Sequence, residues 1–261
     1  MSDAAKQRTR ASRGGGRVGR AKRRAAADTV RSPAIITRKI PTYELLGEEA
    51  LSRIEAHSDW ILKEVGVEFR GDEEALTLFR DAGADVAGER VRFEPGQAAS
   101  LCATAPASFR LEARDAANAI VLGGDHVVLM PSYGPPFVSD LDGGRRYATL
   151  EDFHNIVKLT CVSPYLNHSG GTVCEPVDVP VNKRHLDMVY AHLRYSTKPF
   201  MGAVTAPERA DDSIELARIV FGSAFLEDNC VIQGNINVNS PLVYDHIMTG
   251  ALKAYARANQ S

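Results

Sequence analysis

Residues 230–242 read C-V-I-Q-G-N-I-N-V-N-S-P-L, and within them Asn235, Asn237 and Asn239 alternate with Ile236 and Val238. In an extended chain this spacing puts three carboxamides on one face and the aliphatic side chains on the other. Each amide offers an acceptor oxygen and two donor hydrogens, so such a row can fix a carboxylate or hold ordered water. Asparagine is depleted in strands, and a buried row needs partners for both halves of every amide. A polar face turned to water on an antiparallel sheet is the plainer reading. The flanks favour burial: Val231 and Ile232 begin the stretch apolar, Pro241 ends it, and residues 244–259 have helical periodicity. A strand that feeds a helix is half of a parallel unit, covered on both faces. The amides are therefore expected to line an enclosed polar space at the strand's C-terminal end.

His168 stands at the end of another expected strand, where an imidazole can hold a carboxylate or move a proton; the alternative is a histidine satisfied within the core. With Cys174 and Glu175 it has spacings of six and one, which match no compact zinc pattern, and no metal site is expected. Cys102, Cys161, Cys174 and Cys230 contain no C-x-x-C pair, so reduced thiols are expected. Neither Gly123-Gly124 nor Gly170-Gly171 has the spacing of a phosphate-binding loop.

The elements that must position these groups follow from the periodicities. Residues 47–65 place Leu51, Ile54, Trp60 or Ile61, and Val65 at helical spacing, an amphipathic helix ending near Gly66. A short strand at 67–69, a helix capped by Asp72 and stopped by Gly83, an extended piece at 86–93 and a short helix at 95–105 follow, with Cys102 read as a buried packing residue. From Phe109 the period is two. The runs around Gly123-Gly124-Asp125 read as a β-hairpin, Pro135 and Pro136 exclude a central strand, and Asp142-Gly143-Gly144 makes a further turn.

From Thr149 helix and strand alternate: a helix capped by Thr149 and Asp152, strands at 165–171 and 198–204, helices at 182–195 and from Pro207, then the amide strand and the helix from Tyr244. Alternation of this kind predicts a parallel sheet with right-handed crossovers. An eight-unit barrel takes about 250 residues, whereas residues 119–261 hold about four βα units. The expected fold is α/β, a partial TIM (β/α)8 barrel preceded by a helical and β-hairpin N-terminal region at 32–118. The last helix reaches the final residue without a glycine stop, and the chain is expected to be a fragment.

Composition bounds the rest. The chain has 261 residues, 44% hydrophobic and 25% charged, within the range of globular proteins. No apolar run reaches the roughly 20 residues that cross a bilayer, and a cytoplasmic location is expected. The net charge of −2 conceals an asymmetry: residues 1–31 carry ten Lys and Arg against Asp3 and Asp28, or +8, leaving −10 for the remainder. That segment is nearly free of apolar residues, and a disordered basic tail is expected. It can meet phosphate backbones without sequence preference, but it has no interleaved aromatics for base stacking, so nucleic acid is not an expected partner.

One resemblance covers most of this pattern. The run Gly134-Pro-Pro-Phe-Val-Ser-Asp140 with Arg146 and Thr149, then Glu175-Pro-Val-Asp-Val-Pro180, Thr197-Lys-Pro199 and Asn239-Ser-Pro-Leu242, resembles the trimethylamine methyltransferase family. Those corrinoid-dependent enzymes include a pyrrolysine enzyme and glycine-betaine relatives without pyrrolysine. The likeness runs from about Ile40 to Gln260 and leaves out the basic segment.

The resemblance implies a TIM barrel that takes one methyl group from a methylated amine, trimethylamine or a quaternary amine such as glycine betaine. The acceptor is the Co(I) of a corrinoid (cobalamin) carried by a separate partner protein, so no cofactor is bound directly. A quaternary ammonium offers no hydrogen-bond donor and is held by aromatic faces. Tyr133 and Phe137, flanking Pro135-Pro136, are the aromatic candidates, unless they merely pack a hairpin; Asn235, Asn237, Asn239 and His168 are the polar ones. No catalytic residue is assigned. Family members are longer; a homo-oligomer is expected at full length, and here an inactive fragment whose open barrel edges make it self-associate. A half-barrel dimer that binds betaine-like ligands without chemistry is the rival reading.

Overall fold

The computed structural model describes residues 35–261; the expectation for residues 1–31 lies outside them. The chain is mixed α/β, with eight helices and several small sheets among the described residues, none closed into a barrel.

The N-terminal part is built on β2 (Val67–Arg70), β3 (Asp85–Ala87) and β4 (Arg90–Arg92), paired antiparallel in the order β2-β4-β3. Asp72 caps α2 (Glu73–Asp81) as expected, its carboxylate accepting from Ala75 N at 3.0 Å. Val67, Phe69, Leu76, Val91 and Phe93 form the core between helix and sheet. The fourth strand arrives from far along the chain: β12 (Val243–Asp245) lies parallel to β2. Residues 243–245 are thus strand, and α8 (His246–Arg257) starts after Asp245, whose carboxylate accepts from Ile247 and Met248 N.

The amphipathic helix forms as α1 (Glu48–Glu64), yet Leu51, Ile54, Trp60, Ile61 and Val65 are exposed. Only its last turns reach the sheet, where Leu62 packs on the core and Phe93 N donates to Leu62 O. Cys102, closing α3 (Gln97–Cys102), is exposed rather than buried. It sits on a six-residue helix that contributes no buried side chain.

The hairpin expected at Gly123-Gly124-Asp125 does not form. β6 (Ile120–Gly123) pairs with β5 (Ser108–Leu111), whereas β7 (His126–Val127) pairs with β1 (Ile36–Thr37). Gly123 is pressed onto the start of β5, where an added Cβ would lie 2.2 Å from Ala107 O. The turn hands the chain from one ribbon to the next. The hairpin of β8 (Phe137–Asp140) and β9 (Gly144–Tyr147) forms as expected beyond the two prolines.

Helix and extended chain then alternate: α4 (Leu150–Val162) with its Thr149/Asp152 capping box, α5 (Arg184–Tyr195), β10 (Phe200–Met201), α6 (Pro207–Phe221), the short α7 (Ser223–Asp228), β11 (Ile232–Gln233) and α8. β10 and β11 are parallel. Segment 167–171, expected as a strand, has no regular ladder but continues the pattern, with Ser169 N donating to Pro199 O at 2.8 Å and Met201 N to Gly170 O at 2.9 Å. Gly170 interrupts it at φ +88°, a conformation that suits glycine and lets two residues oppose one. Phe200, Val231, Ile232, Val189, Leu193, Ile214, Ala251 and Tyr255 bury one face of these segments under α5, α6 and α8.

The strand read over the asparagines stops at Gln233. Gly234 N and Ser261 N bond to Ser261 O and Ile232 O, but residues 235–238 have no ladder partner, and the chain runs on irregularly to the isolated Ser240–Val243 bridge.

Candidate functional site

The parallel segments have one covered face and one opposite it. Phe200 and Ile232 point into the helical layer, Gly234 abuts the Tyr255 ring and Ile236 packs on the same cluster. By the two-residue alternation of extended chain, Met201 and its register partner Gln233 face the other way. On the neighbouring segment Ser169 Oγ bonds His192 Nδ1 of α5 at 2.7 Å, which sets His168 on the far face. The bulge at Gly170 then brings Gly171 alongside Met201.

That position governs Tyr133. A Cβ added to Gly171 would lie 2.8 Å from Tyr133 Cε2 and 2.9 Å from Met201 Cβ. The phenol ring therefore rests over Gly171 and beside the Met201 thioether. Gly134 N donates to Thr172 O at 2.6 Å, and Pro131 packs against Gly170, so both sides of the aromatic residue are tied to the same turn. Tyr133 keeps 44% of its surface exposed, enough to present its ring to a ligand.

His168 is fully buried. Its Nδ1 accepts from Gly170 N at 2.9 Å, so the ring proton sits on Nε2, which has no partner among the described residues. Burial, with neighbouring His192 adding to it, pushes its pKa down to about 3. The side chain is a neutral donor and cannot relay protons near neutrality. His192 is held in the complementary way: Nε2 lies 2.7 Å from Gly171 O and must carry the proton, so Nδ1 accepts from Ser169.

The remaining candidates lie apart. Phe137 sits in the β8–β9 hairpin with Tyr147 at 4.6 Å between ring centroids and the Arg145 guanidinium 3.7 Å over its face. That face already has its cation. Asn239 is bound to the next element, its Nδ2 donating to Asp245 Oδ2 at 2.8 Å and its Oδ1 accepting from Asp245 N at 2.9 Å. All three asparagines are exposed rather than enclosed, because residues 235–238 form no strand that others could cover.

Cys174, which with His168 and Glu175 matches no compact metal pattern, is buried, and burial pushes its thiol up to about 12. A protonated thiol is a poor ligand, and Glu175 is engaged by Arg184. No cluster of three metal-ligating side chains occurs among the described residues. Sequence reasoning missed Met201, Gln233 and Gly171. A signal existed for Gln233: the carboxamides recur at period two from 233, not from 235.

No helix among the described residues is long and apolar enough to cross a membrane. Comparison with known proteins gives a consistent result. The sequence profile of the trimethylamine methyltransferase family matches residues 13–261. A glycine betaine methyltransferase of Desulfitobacterium hafniense (strain Y51) is 44% identical over 223 residues, covering 85% of this chain and 46% of the relative. An L-carnitine:corrinoid methyltransferase of Eubacterium limosum is 28% identical over 208 residues, 72% of this chain and 41% of the relative. A proline betaine:corrinoid methyltransferase of the same organism is 27% identical over 195 residues, 71% of this chain and 40% of the relative. The chain thus spans less than half the length of the curated relatives it matches. On the profile match and the 44% identical relative, it belongs to the trimethylamine methyltransferase family, a family of enzymes.

Proposed function

We propose that this chain carries the amine-facing part of a methyltransferase that moves a methyl group from a quaternary amine such as glycine betaine to the Co(I) of a corrinoid protein. The alternating segments from α4 to α8 are read as part of a TIM barrel whose open face holds the amine. The supporting observation is the Tyr133 ring, fixed over Gly171 beside Met201. A trimethylammonium head is held by an aromatic face and a polarisable thioether. Asn235 and Asn237, exposed just beyond β11, are the polar groups for the rest of the ligand.

The displacement chemistry suits a quaternary ammonium substrate. In displacement by Co(I), the bond between methyl carbon and ammonium nitrogen breaks, its electron pair stays on nitrogen, and the product is a neutral tertiary amine. No proton moves. A tertiary amine such as trimethylamine is already protonated in neutral water and would leave as a neutral secondary amine by the same displacement. The corrinoid is the methyl acceptor, carried by a partner protein, and the residues named here bind and orient the donor.

Binding is tested with glycine betaine by calorimetry and by saturation transfer from aromatic protons to the N-methyl groups. Binding with transfer is the expected result; no binding of any quaternary amine overturns the reading. Methyl transfer is read as dimethylglycine formed with a Co(I) corrinoid protein, in a polypeptide as long as the relatives.

A further inference from the structure

We infer that Gln233 recognises the carboxylate of the amine substrate and so selects betaines over quaternary amines that lack an acid group. The inference rests on the functional reading above. Gln233 is register-paired with Met201 in the parallel β10–β11 ladder, and Met201 in turn touches the space over Gly171 that Tyr133 covers. Tyr133, Met201 and Gln233 therefore follow one another across three adjacent segments on one face, with neighbouring strands about 4.8 Å apart.

Two chemistries adjoin along that line. The aromatic ring and thioether suit methylated nitrogen, and the half-buried amide of Gln233 makes no side-chain hydrogen bond among the described residues. An amide NH2 that is partly removed from water and has no protein partner suits an anionic oxygen, whose charge strengthens the bond. A single carbon separates ammonium from carboxylate in glycine betaine, so a ligand whose head rests by Met201 keeps its carboxylate beside the neighbouring strand. Asn235, two residues on and beyond the end of β11, is more exposed. Gln233 is the amide closest to the ammonium end.

The experiment compares glycine betaine with choline, which keeps the trimethylammonium head and replaces the carboxylate by a hydroxymethyl group. Binding to the full chain is measured by calorimetry for the parent, Gln233→Leu and Gln233→Glu, with thermal melts to confirm folding. The parent is expected to prefer glycine betaine. Gln233→Leu should weaken glycine betaine about tenfold, the worth of one charge-assisted hydrogen bond, and leave choline within about twofold. Gln233→Glu, which keeps size and shape but opposes the carboxylate with a like charge, should weaken glycine betaine further and spare choline. Equal loss of both ligands, or no loss of either, overturns the role given to Gln233 while leaving the functional reading intact. Failure of the parent to bind either ligand overturns both.

Discussion

Lys253 Nζ lies 2.6 Å from Asp72 Oδ1, joining α8 to the first turn of α2 across 181 residues of chain. The same carboxylate accepts from Ala75 N and from the Thr249 hydroxyl, and the same ammonium reaches Glu74 at 2.9 Å. Asp72 is nearly inaccessible. One side chain therefore caps a helix, anchors the C-terminal helix and supports the parallel β2–β12 pair beside it.

Removing Asp72 is accordingly expected to cost more than an ordinary helix cap. Asp72→Ala leaves a largely buried ammonium short of a partner and a cap donor unpaired, about 3 kcal/mol in urea unfolding. The pH dependence has two limbs. Burial opposes ionisation of Asp72, but Lys253, Thr249 and Ala75 together hold its pKa below the ordinary carboxylate value. Its stabilising contribution is present above about pH 4 and is lost as pH falls through the depressed value. Burial likewise opposes charge on Lys253, yet Asp72 and Glu74 raise its pKa. That contribution is present below about pH 10 and is lost as pH rises through the raised value. Asp72→Asn should flatten the acid limb.

Lys198 donates to three backbone carbonyls, Thr160 O and Ser163 O at 2.8 Å and Leu166 O at 2.6 Å. These close the C-terminal end of α4, where an ammonium meets unpaired carbonyls and the negative end of the helix dipole. Lys198→Met keeps the stem and strands the carbonyls, an expected loss of about 2 to 4 kcal/mol. Lys198→Arg should recover only part, because a planar fork cannot reproduce three converging bonds. Hydrogen exchange at the end of α4 should accelerate in both variants.

Local chemistry made much of this fold legible in the sequence. The Thr149/Asp152 capping box, the Asp72 cap, the Pro207 helix start and the Asp142-Gly143-Gly144 turn form where short-range rules put them. Pairing partners were not legible: β12 lies on β2 at a separation no local pattern carries, and Gly123 closes onto Ala107 rather than turning a hairpin. The site divided in the same way. The period-two carboxamide row was visible, but whether it forms a covered strand depends on a pairing partner, and residues 235–238 have none. The roles of Phe137 and Asn239 were set by Arg145 and Asp245, near neighbours whose contacts depend on turn geometry. Tyr133 owes its place to a glycine on another segment.

His168 and His192 make folding acid-sensitive. Burial, joined for His168 by its neighbour His192, pushes the two pKa values down to about 3 and about 4. In the unfolded chain both protonate near pH 6.5, so stability is full above that value and falls as pH drops toward the folded values. Each histidine should cost about 2 kcal/mol at pH 5. His192→Gln should reduce the slope of unfolding free energy against pH between 6.5 and 4 by about one proton's worth. A slope unchanged by the substitution would contradict burial of a neutral ring at this position.

Gly171 should govern ligand affinity through Tyr133. An alanine Cβ there would stand 2.8 Å from Tyr133 Cε2 and 2.9 Å from Met201 Cβ, and the second of these, one bond from the backbone, cannot rotate away. The ring must yield. Gly171→Ala is expected to weaken a quaternary amine about tenfold, at a stability cost of about 1 to 3 kcal/mol. Tyr133→Ala should cause a similar loss of affinity, whereas Tyr133→Phe keeps the π face and should stay within about threefold. The double variant separates displacement of the ring from general damage. If the glycine acts by seating the aromatic, adding Gly171→Ala to Tyr133→Ala leaves affinity where the first substitution put it. Additive losses would mean that Gly171 shapes the site through Met201 instead.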